Sequence, residues 1–268
     1  MNPMTMFLAV YPGVAVVALA VPLLAVRWFA VPQDRLRTEW LLVAAGLAEP
    51  ADALAQFTAN SLSWLRPLKY DLFVYRIDGF LGDPSFHLGQ MVAARAWLIL
   101  LVSFSYGLMP VAMLAAFAVY LWMKSAAETL VVARTLALNL FAAVPLYLLF
   151  PVCGPAFAFP GFPLLPPARL APHMMAIAAA PNGVPSVHTS TALLVLYFLR
   201  PWRWGRVGGA VFLALTVLST LGSGQHYLFD LLCAVPYATG VVWLGRSRKS
   251  HVAPVDRDRV VHAGTQPS

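Results

Sequence analysis

Four long segments of this chain contain no Asp, Glu, Lys or Arg: residues 1–26, 96–123, 135–168 and 207–229. An apolar run of about 18 residues or more is long enough to cross a bilayer as a helix. Within a bilayer, only helices and closed barrels satisfy their own backbone hydrogen bonds. Because 60% of the residues are hydrophobic and 11% are charged, the sequence predicts an all-α, polytopic membrane protein and excludes a water-soluble enzyme.

We expect about six transmembrane helices from the length rule. They lie near residues 5–27, 96–123, 130–151, 187–200, 206–223 and 226–245. The segment 28–95 is too polar for a simple span and is expected to form loop and interfacial helix. Within it, the interrupted apolar repeat of residues 41–62 favours an amphipathic surface helix.

The domain organisation follows from this distribution of apolar residues. We expect one integral membrane domain over residues 1–246, made of a first span plus interfacial segment (1–95) and a catalytic helical core (96–246). The polar tail, residues 247–268, is expected to be disordered and cytoplasmic.

The net charge of +7 arises from 18 Lys and Arg against 11 Asp and Glu. Arg200, Arg203 and Arg206 lie between the fourth and fifth expected spans, and further basic residues follow the last span. Basic loops face the cytoplasm, so the loops at 151–186 and 222–226 are expected on the opposite side of the plasma (inner) membrane. The charge therefore indicates membrane anchoring, and no nucleic-acid partner is expected.

One carboxylate, Asp230, lies inside an apolar run. An ionisable residue there costs a few kcal/mol and is a functional-site hypothesis by default. His226 precedes it by four residues, and positions i and i+4 share one face of a helix. The sequence HYLFD therefore predicts that Asp230 orients or charges the imidazole of His226.

A second polar motif, PNGVPSVHTS, occupies residues 181–190 directly before an apolar helix. Gly183 allows a tight approach, Ser186 can cap the helix, and the first free amides can bind an anion. His188 lies in the first turn. Because the chain turns at the basic residues and returns near residue 222, His188 and His226 are expected to meet. Two histidines and a carboxylate suit covalent phosphoryl transfer, which needs a nucleophile and a separate general acid.

The residues PSVH at 185–188 and HYLFD at 226–230 resemble the second and third signature motifs of the type 2 phosphatidic acid phosphatase superfamily. The HYxxD form is closest to the transferase branch, which includes inositol phosphorylceramide synthases and sphingomyelin synthases. The resemblance covers roughly residues 64–245. It implies that His226 attacks phosphorus, that Asp230 orients His226, and that His188 protonates the leaving group.

The chain departs from the phosphatase pattern at two positions. The first motif of the phosphatases has Lys, six residues, then Arg-Pro, whereas this chain has Lys69, six residues, Arg76 and then Ile77. A Ser-Arg pair before the third motif is replaced by Ser219 and Thr220. A phosphodiester carries one negative charge and a phosphomonoester nearly two, so fewer cations favour a diester substrate.

The phosphate-binding residues expected from these motifs are Lys69, Arg76, Ser186 and Gly183, with Arg169 as a spatial substitute for the missing arginine. Two plainer interpretations are open. Ser186 can act only as a helix cap, and Lys69 and Arg76 can pair with Asp71, Asp78 or Asp83 on a solvated face.

The resemblance implies a membrane lipid phosphotransferase or phosphodiester hydrolase. It would move a phosphorylated headgroup from a phospholipid to a lipid alcohol or water through a phosphohistidine, with no cofactor and no metal. One alternative is a lipid phosphate monoesterase. Another is a lipid or ion transporter in which His226 and Asp230 relay protons. Two histidines and one carboxylate also fit a metal facial triad.

Overall fold

The structure is a computed structural model that describes residues 32–166, 170–171 and 173–247. The expected first span at 5–27, Arg169 and the tail beyond residue 247 lie outside the described residues. Eleven helices and one short strand pair make up the described part. The helices are α1 (Pro32–Leu65), α2 (Asp71–Phe80), α3 (Pro84–Ala93), α4 (Ala96–Gly107), α5 (Met109–Met123), α6 (Ala126–Phe141), α7 (Ala143–Leu149), α8 (Pro155–Ala158), α9 (Val187–Leu199), α10 (Arg203–Gly222) and α11 (Leu228–Ser247).

Three helical segments of the described chain are long and apolar enough to cross a membrane: Ala126–Leu149, which joins α6 and α7, and the helices α10 and α11. The pair α3 and α4 passes the same test together, with a bend of 118° between its halves. The described chain therefore has three candidate spans, or four with the bent pair. This confirms the all-α, polytopic membrane class predicted from the apolar runs.

One sequence-based boundary is wrong. The single span expected at 96–123 is divided into α4 and α5 at Leu108. Pro110 in the first turn of α5 explains the division, because proline lacks the N–H group that would continue the preceding helix. Within the segment expected as loop and interfacial helix, the described residues form α1, α2 and α3, and α1 runs for 34 residues through Pro50.

Helices α9 and α10 form an antiparallel hairpin around the basic turn. The N-cap of α9 is Ser186, and the helix ends at Arg200. A Cβ atom at Gly209 of α10 would lie 2.9 Å from the Cα atom of Leu196 in α9. Small residues of this kind let two helix backbones approach closely. The hairpin therefore returns the end of α10 to the level at which α9 begins.

A polar cluster joins α6, α9 and α11 beneath the start of α9. The side-chain amide of Asn139 donates to Thr191 Oγ1 at 2.8 Å, and its carbonyl oxygen accepts from Ser190 Oγ at 2.7 Å. The hydroxyl of Tyr237 donates to the backbone oxygen of Asn139 at 2.5 Å. Interhelical hydrogen bonds of this kind hold membrane helices together where no hydrophobic driving force is available.

The segment between α7 and α9 is folded onto the helices. Its residues Met175–Ala176 (β2) pair antiparallel with Leu68–Lys69 (β1). Phe162 fills the space above Gly89 of α3, where an added Cβ atom would lie 2.5 Å from the ring. The side chain of Gln90 donates to the backbone oxygen of Pro163 at 3.1 Å. Within the described residues, Phe162, Pro163 and β2 are therefore held against α3 and β1.

Candidate active site

His226 and Asp230 are paired at the start of α11. The Nδ1 atom of His226 lies 3.3 Å from Oδ2 of Asp230, and the same oxygen accepts the backbone N–H of Tyr227 at 2.9 Å. Helix α11 begins at Leu228, so His226 lies in the connection before it. The prediction that His226 and Asp230 lie on one face of a helix is therefore wrong in detail. Only Asp230 is in the helix, and its carboxylate extends toward the imidazole before the helix start.

Both members of this pair are buried, with His226 3% and Asp230 0% exposed. Burial lowers the pKa of His226 to about 4, and a hydrogen bond with the backbone of Gly183 acts in the opposite direction. The imidazole is therefore neutral at pH 7. A neutral imidazole has the lone pair that a nucleophile requires.

His188 lies in the first turn of α9 and approaches His226 from the other arm of the hairpin. The two ring centroids are 6.0 Å apart. The ring of Tyr106 in α4 lies 4.2 Å from that of His188, and its hydroxyl is 3.4 Å from Nδ1. The expected meeting of the two histidines is thus present in the structure. Their separation allows one phosphoryl group to contact both rings.

Gly183 and Ser186 fix the position of the segment that leads into α9. The N–H of Gly183 donates to the backbone oxygen of Val152 at 2.7 Å. A Cβ atom at Gly183 would lie 2.8 Å from the same oxygen, so this close approach requires glycine. Ser186 Oγ accepts the N–H of Thr189 at 3.3 Å, and Ser186 N donates to Asp230 O at 3.2 Å. Ser186 is therefore the N-cap of α9 and also ties α9 to α11.

Lys69 and Arg76 have very different surroundings. Lys69 is fully buried, and its ammonium group donates to the backbone oxygen of Arg66. Burial lowers the pKa of Lys69, while Cys153 and Asp71 act in the opposite direction. Arg76 is exposed on α2. Among the described residues, neither side chain has a hydrogen bond or ion pair with the two histidines.

Two buried acids of α2 hold the segments around the site. The carboxylate of Asp71 accepts from Cys153 N at 3.1 Å, Gly154 N at 2.9 Å and the hydroxyl of Tyr227 at 3.2 Å. The carboxylate of Asp78 accepts from the first two N–H groups of α11 (Leu228 and Phe229) at 2.9 Å each. Asp71 therefore fixes the loop after α7, and Asp78 caps the helix that carries Asp230.

The solvated-face interpretation is wrong for Asp71 and Asp78, which are 0% and 1% exposed. Burial raises the pKa of both groups to about 6, while the N–H donors lower it. Their spacing of seven residues places them on one face of α2. Val74 between them is also buried. The i, i+3, i+7 spacing of Asp71, Val74 and Asp78 is therefore the sequence pattern that could have indicated their burial. Their hydrogen-bond partners lie 82 to 156 residues away in the chain, and no local pattern identifies such partners.

Further side chains near the histidines were not singled out from the sequence. Ser85 Oγ of α3 donates to the backbone oxygen of His226 at 3.0 Å. Thr189 Oγ1 and Asp230 Oδ1 are buried without a hydrogen-bond partner within the described ranges. Thr189 directly follows His188, so its hydroxyl is available to a bound phosphoryl oxygen.

The positions of the phosphatase Ser-Arg pair contain no cation. Ser219 contacts Ser105 Oγ of α4, and the hydroxyl of Thr220 donates to Thr216 O of its own helix at 2.9 Å. Among the described residues, no group of three or more His, Cys, Asp and Glu side chains is arranged to hold a metal ion.

A family model described as the PAP2 superfamily matches residues 73–244. This range contains both histidines, Asp230, Asp78, Ser186 and Gly183. The chain has no match among the curated proteins or among the solved structures.

Proposed function

Since the chain belongs to the PAP2 superfamily, we propose that it moves a phosphorylated headgroup from a phospholipid to a lipid alcohol or to water. Membership of the superfamily supports a membrane enzyme of the lipid phosphatase or phosphotransferase type. The observation that carries the proposal is the approach of His188 to a buried His226–Asp230 pair.

In the first step, the neutral imidazole of His226 attacks the phosphorus atom and the bond to the diacylglycerol oxygen breaks. Burial lowers the pKa of His188 to about 3. The negative charge of a bound phosphoryl group raises that pKa, so in this proposal His188 takes up a proton when the substrate binds. His188 then donates this proton to the diacylglycerol oxygen, and diacylglycerol leaves as an alcohol. Asp230 stabilises the positive charge that develops on the His226 ring. The headgroup phosphate is then bound covalently to His226.

In the second step, the hydroxyl of a lipid alcohol or of water attacks the phosphorus atom. His188, now neutral, accepts the hydroxyl proton and so returns to its starting state. The bond between phosphorus and His226 breaks, and the imidazole leaves as the neutral base. An alcohol as acceptor gives headgroup transfer, and water gives headgroup hydrolysis.

In this proposal the phosphoryl oxygens are bound by neutral donors. Lys69, which donates to Arg66 O, and Arg76, which is exposed, have no hydrogen bond or ion pair with either histidine among the described residues. The donors are the hydroxyls of Ser186 and Thr189 and the first free amides of α9. The expected role of Gly183 as a phosphate donor is not supported, because its N–H donates to Val152 O at 2.7 Å. Thr220 stands where the phosphatases have arginine. Since a diester has one negative charge and a monoester nearly two, this replacement supports a diester substrate.

The sidedness of the reaction is also a proposal. Both histidines lie at one end of the α9–α10 hairpin, and Arg200, Arg203 and Arg206 lie at its other end. Basic turns face the cytoplasm. The active site would then face the non-cytoplasmic side of the plasma (inner) membrane, with the C-terminus in the cytoplasm.

The test is incubation of the purified protein with phosphatidic acid, phosphatidylinositol or phosphatidylcholine, each with and without a lipid alcohol. Mass spectrometry identifies the products. Diacylglycerol together with a headgroup on the alcohol or in solution is expected, and His226→Ala and His188→Ala should abolish it. His87→Ala is the matched control, because His87 is an exposed histidine on α3.

Two results would contradict this proposal. If the protein releases inorganic phosphate from phosphatidic acid and does not act on the other two phospholipids, it is a monoesterase. Absence of any product, together with lipid or proton movement that depends on Asp230, would identify a transporter.

A further inference from the structure

A cavity of about 420 Å³ lies between α7, the segment that leads into α9, and α11. Its lining is apolar apart from the hydroxyl of Tyr237, and that hydroxyl is already bonded to Asn139 O. Phe229, Cys233 and Tyr237 line it from α11 at positions i, i+4 and i+8. This face of α11 extends about 12 Å at 1.5 Å per residue. We refer to this cavity as the α7–α11 groove.

The inner end of the groove adjoins the candidate active site. Pro185, which lines the groove, directly precedes Ser186 and lies three residues before His188. Phe229, which also lines it, directly precedes Asp230. The histidines do not line the groove themselves, and a molecule in it would have one end against the residues that directly precede Ser186 and Asp230.

The outer end of the groove opens onto the surface of a candidate span. Leu149 and Leu146 of α7 line the groove and are 72% and 38% exposed. They belong to the candidate span Ala126–Leu149, and α11 is itself a candidate span. Exposed leucines on a membrane helix face hydrocarbon, so the groove opens toward the bilayer interior at this end.

We propose that the α7–α11 groove binds one acyl chain of the lipid substrate while its phosphate lies between His188 and His226. This inference rests on the proposed function, which requires a molecule with an apolar tail and a phosphorylated head. An apolar lining that opens toward the bilayer at one end and is bounded by Pro185 and Phe229 at the other matches that molecule. The groove would then select substrates by their acyl chain, separately from the headgroup.

The test uses a phosphatidylcholine analogue with a photoreactive diazirine on one acyl chain, as a trace component of phosphatidylcholine nanodiscs. After irradiation, peptide mass spectrometry maps the adducts. Adducts are expected on residues 146–150 and 229–237. Cys233→Trp fills the groove and should reduce them about tenfold. Val235→Trp is the matched control on α11, because Val235 is 51% exposed and does not line the groove.

The labelling is carried out in a His226→Ala background, so that it reports binding without turnover. One outcome separates the two proposals: the wild type shows no turnover, but the groove residues are labelled and Cys233→Trp removes the labelling. This outcome would overturn the proposed function and support lipid binding in the groove. Turnover in the wild type with adducts spread evenly over exposed residues such as Val211 of α10 would overturn the groove alone.

Alkylation of Cys233 gives a second measurement that does not depend on the folding of the tryptophan variant. The other cysteine, Cys153, is fully buried. A hydrophobic maleimide should modify Cys233 several-fold more slowly with dioleoyl phosphatidylcholine than with dihexanoyl phosphatidylcholine. Equal rates with the two lipids would overturn the proposal.

Discussion

The replacement Asp78→Asn tests whether a buried acid of α2 positions the catalytic pair through the start of α11. Asp78 accepts two N–H groups at 2.9 Å, from Leu228 and Phe229, and the next residue is Asp230. Hydrogen bonds to charged groups contribute about 1.5–3 kcal/mol each. Asparagine retains one acceptor oxygen and turns an NH₂ group toward the second N–H. Because a neutral amide is less costly to bury than a carboxylate, we expect a net loss of about 1–2 kcal/mol in the free energy of unfolding.

The effect on catalysis should exceed this loss of stability. If the start of α11 shifts, His226 and Asp230 move relative to His188, and a displacement of about 1 Å can cost about a hundredfold in rate. We expect kcat to fall about 10- to 100-fold with KM unchanged, measured well below the unfolding temperature of the variant. Retention of wild-type kcat in the folded variant would refute the positioning role.

Glu128→Gln is the matched control for this experiment. Glu128 is also a carboxylate at a helix start, where it forms a capping box with Ser125 in α6. It lies at the opposite end of α6 from Asn139, which bonds Ser190 beside His188. We expect a small loss of stability and an unchanged kcat. An equal fall of kcat in both variants would mean that general destabilisation explains the effect.

Three further outcomes follow from the site. Acidification from pH 7 to pH 5 protonates Asp71 and Asp78, whose pKa burial raises to about 6, so turnover should fall. Because these pKa values exceed the ordinary 3.8, the stability contributed by both groups is fully present below about pH 4 and is lost as the pH rises through 6. Thermal unfolding should therefore show no parallel loss on acidification, and a parallel loss would contradict this assignment. In a thermal melting experiment, Gly154→Ala should lower the free energy of unfolding by about 1–3 kcal/mol. The reason is that Gly154 has φ of 112° and an added Cβ atom would lie 2.2 Å from Gln225 O. The control Gly161→Ala should be neutral in the same experiment, because no atom lies within 4 Å of an added Cβ atom there. EDTA should leave turnover unchanged, because His226, Asp230 and His188 perform the proposed steps, and a loss that a divalent ion restores would contradict the proposal.

Apolar runs predicted the helical membrane class. The approach of His188 to His226 was predictable because two apolar helices joined by a short basic turn form a hairpin, which returns the chain to the level where it began. The four-residue spacing also predicted the pairing of His226 with Asp230. It did not predict that α11 begins after His226, since helix boundaries depend on the cap that Asp78 supplies from another helix. The burial of Asp71 was missed for the same reason: its partners come from residues 153, 154 and 227. The α7–α11 groove is likewise a property of three packed segments.

The contact between Phe162 and Gly89 constrains how this sequence can diverge. A Cβ atom at position 89 would lie 2.5 Å from the Phe162 ring and 2.8 Å from Pro163 Cβ, so Gly89→Ala alone forces the loop away from α3. A smaller side chain at position 162 removes the closest of these clashes. The clash with Pro163 Cβ at 2.8 Å remains, so a side chain at position 89 also requires the loop backbone at residue 163 to shift. Positions 89, 162 and 163 are therefore coupled although 89 and 162 are 73 residues apart. In an alignment of homologues, a side chain at position 89 should occur together with a residue smaller than phenylalanine at position 162.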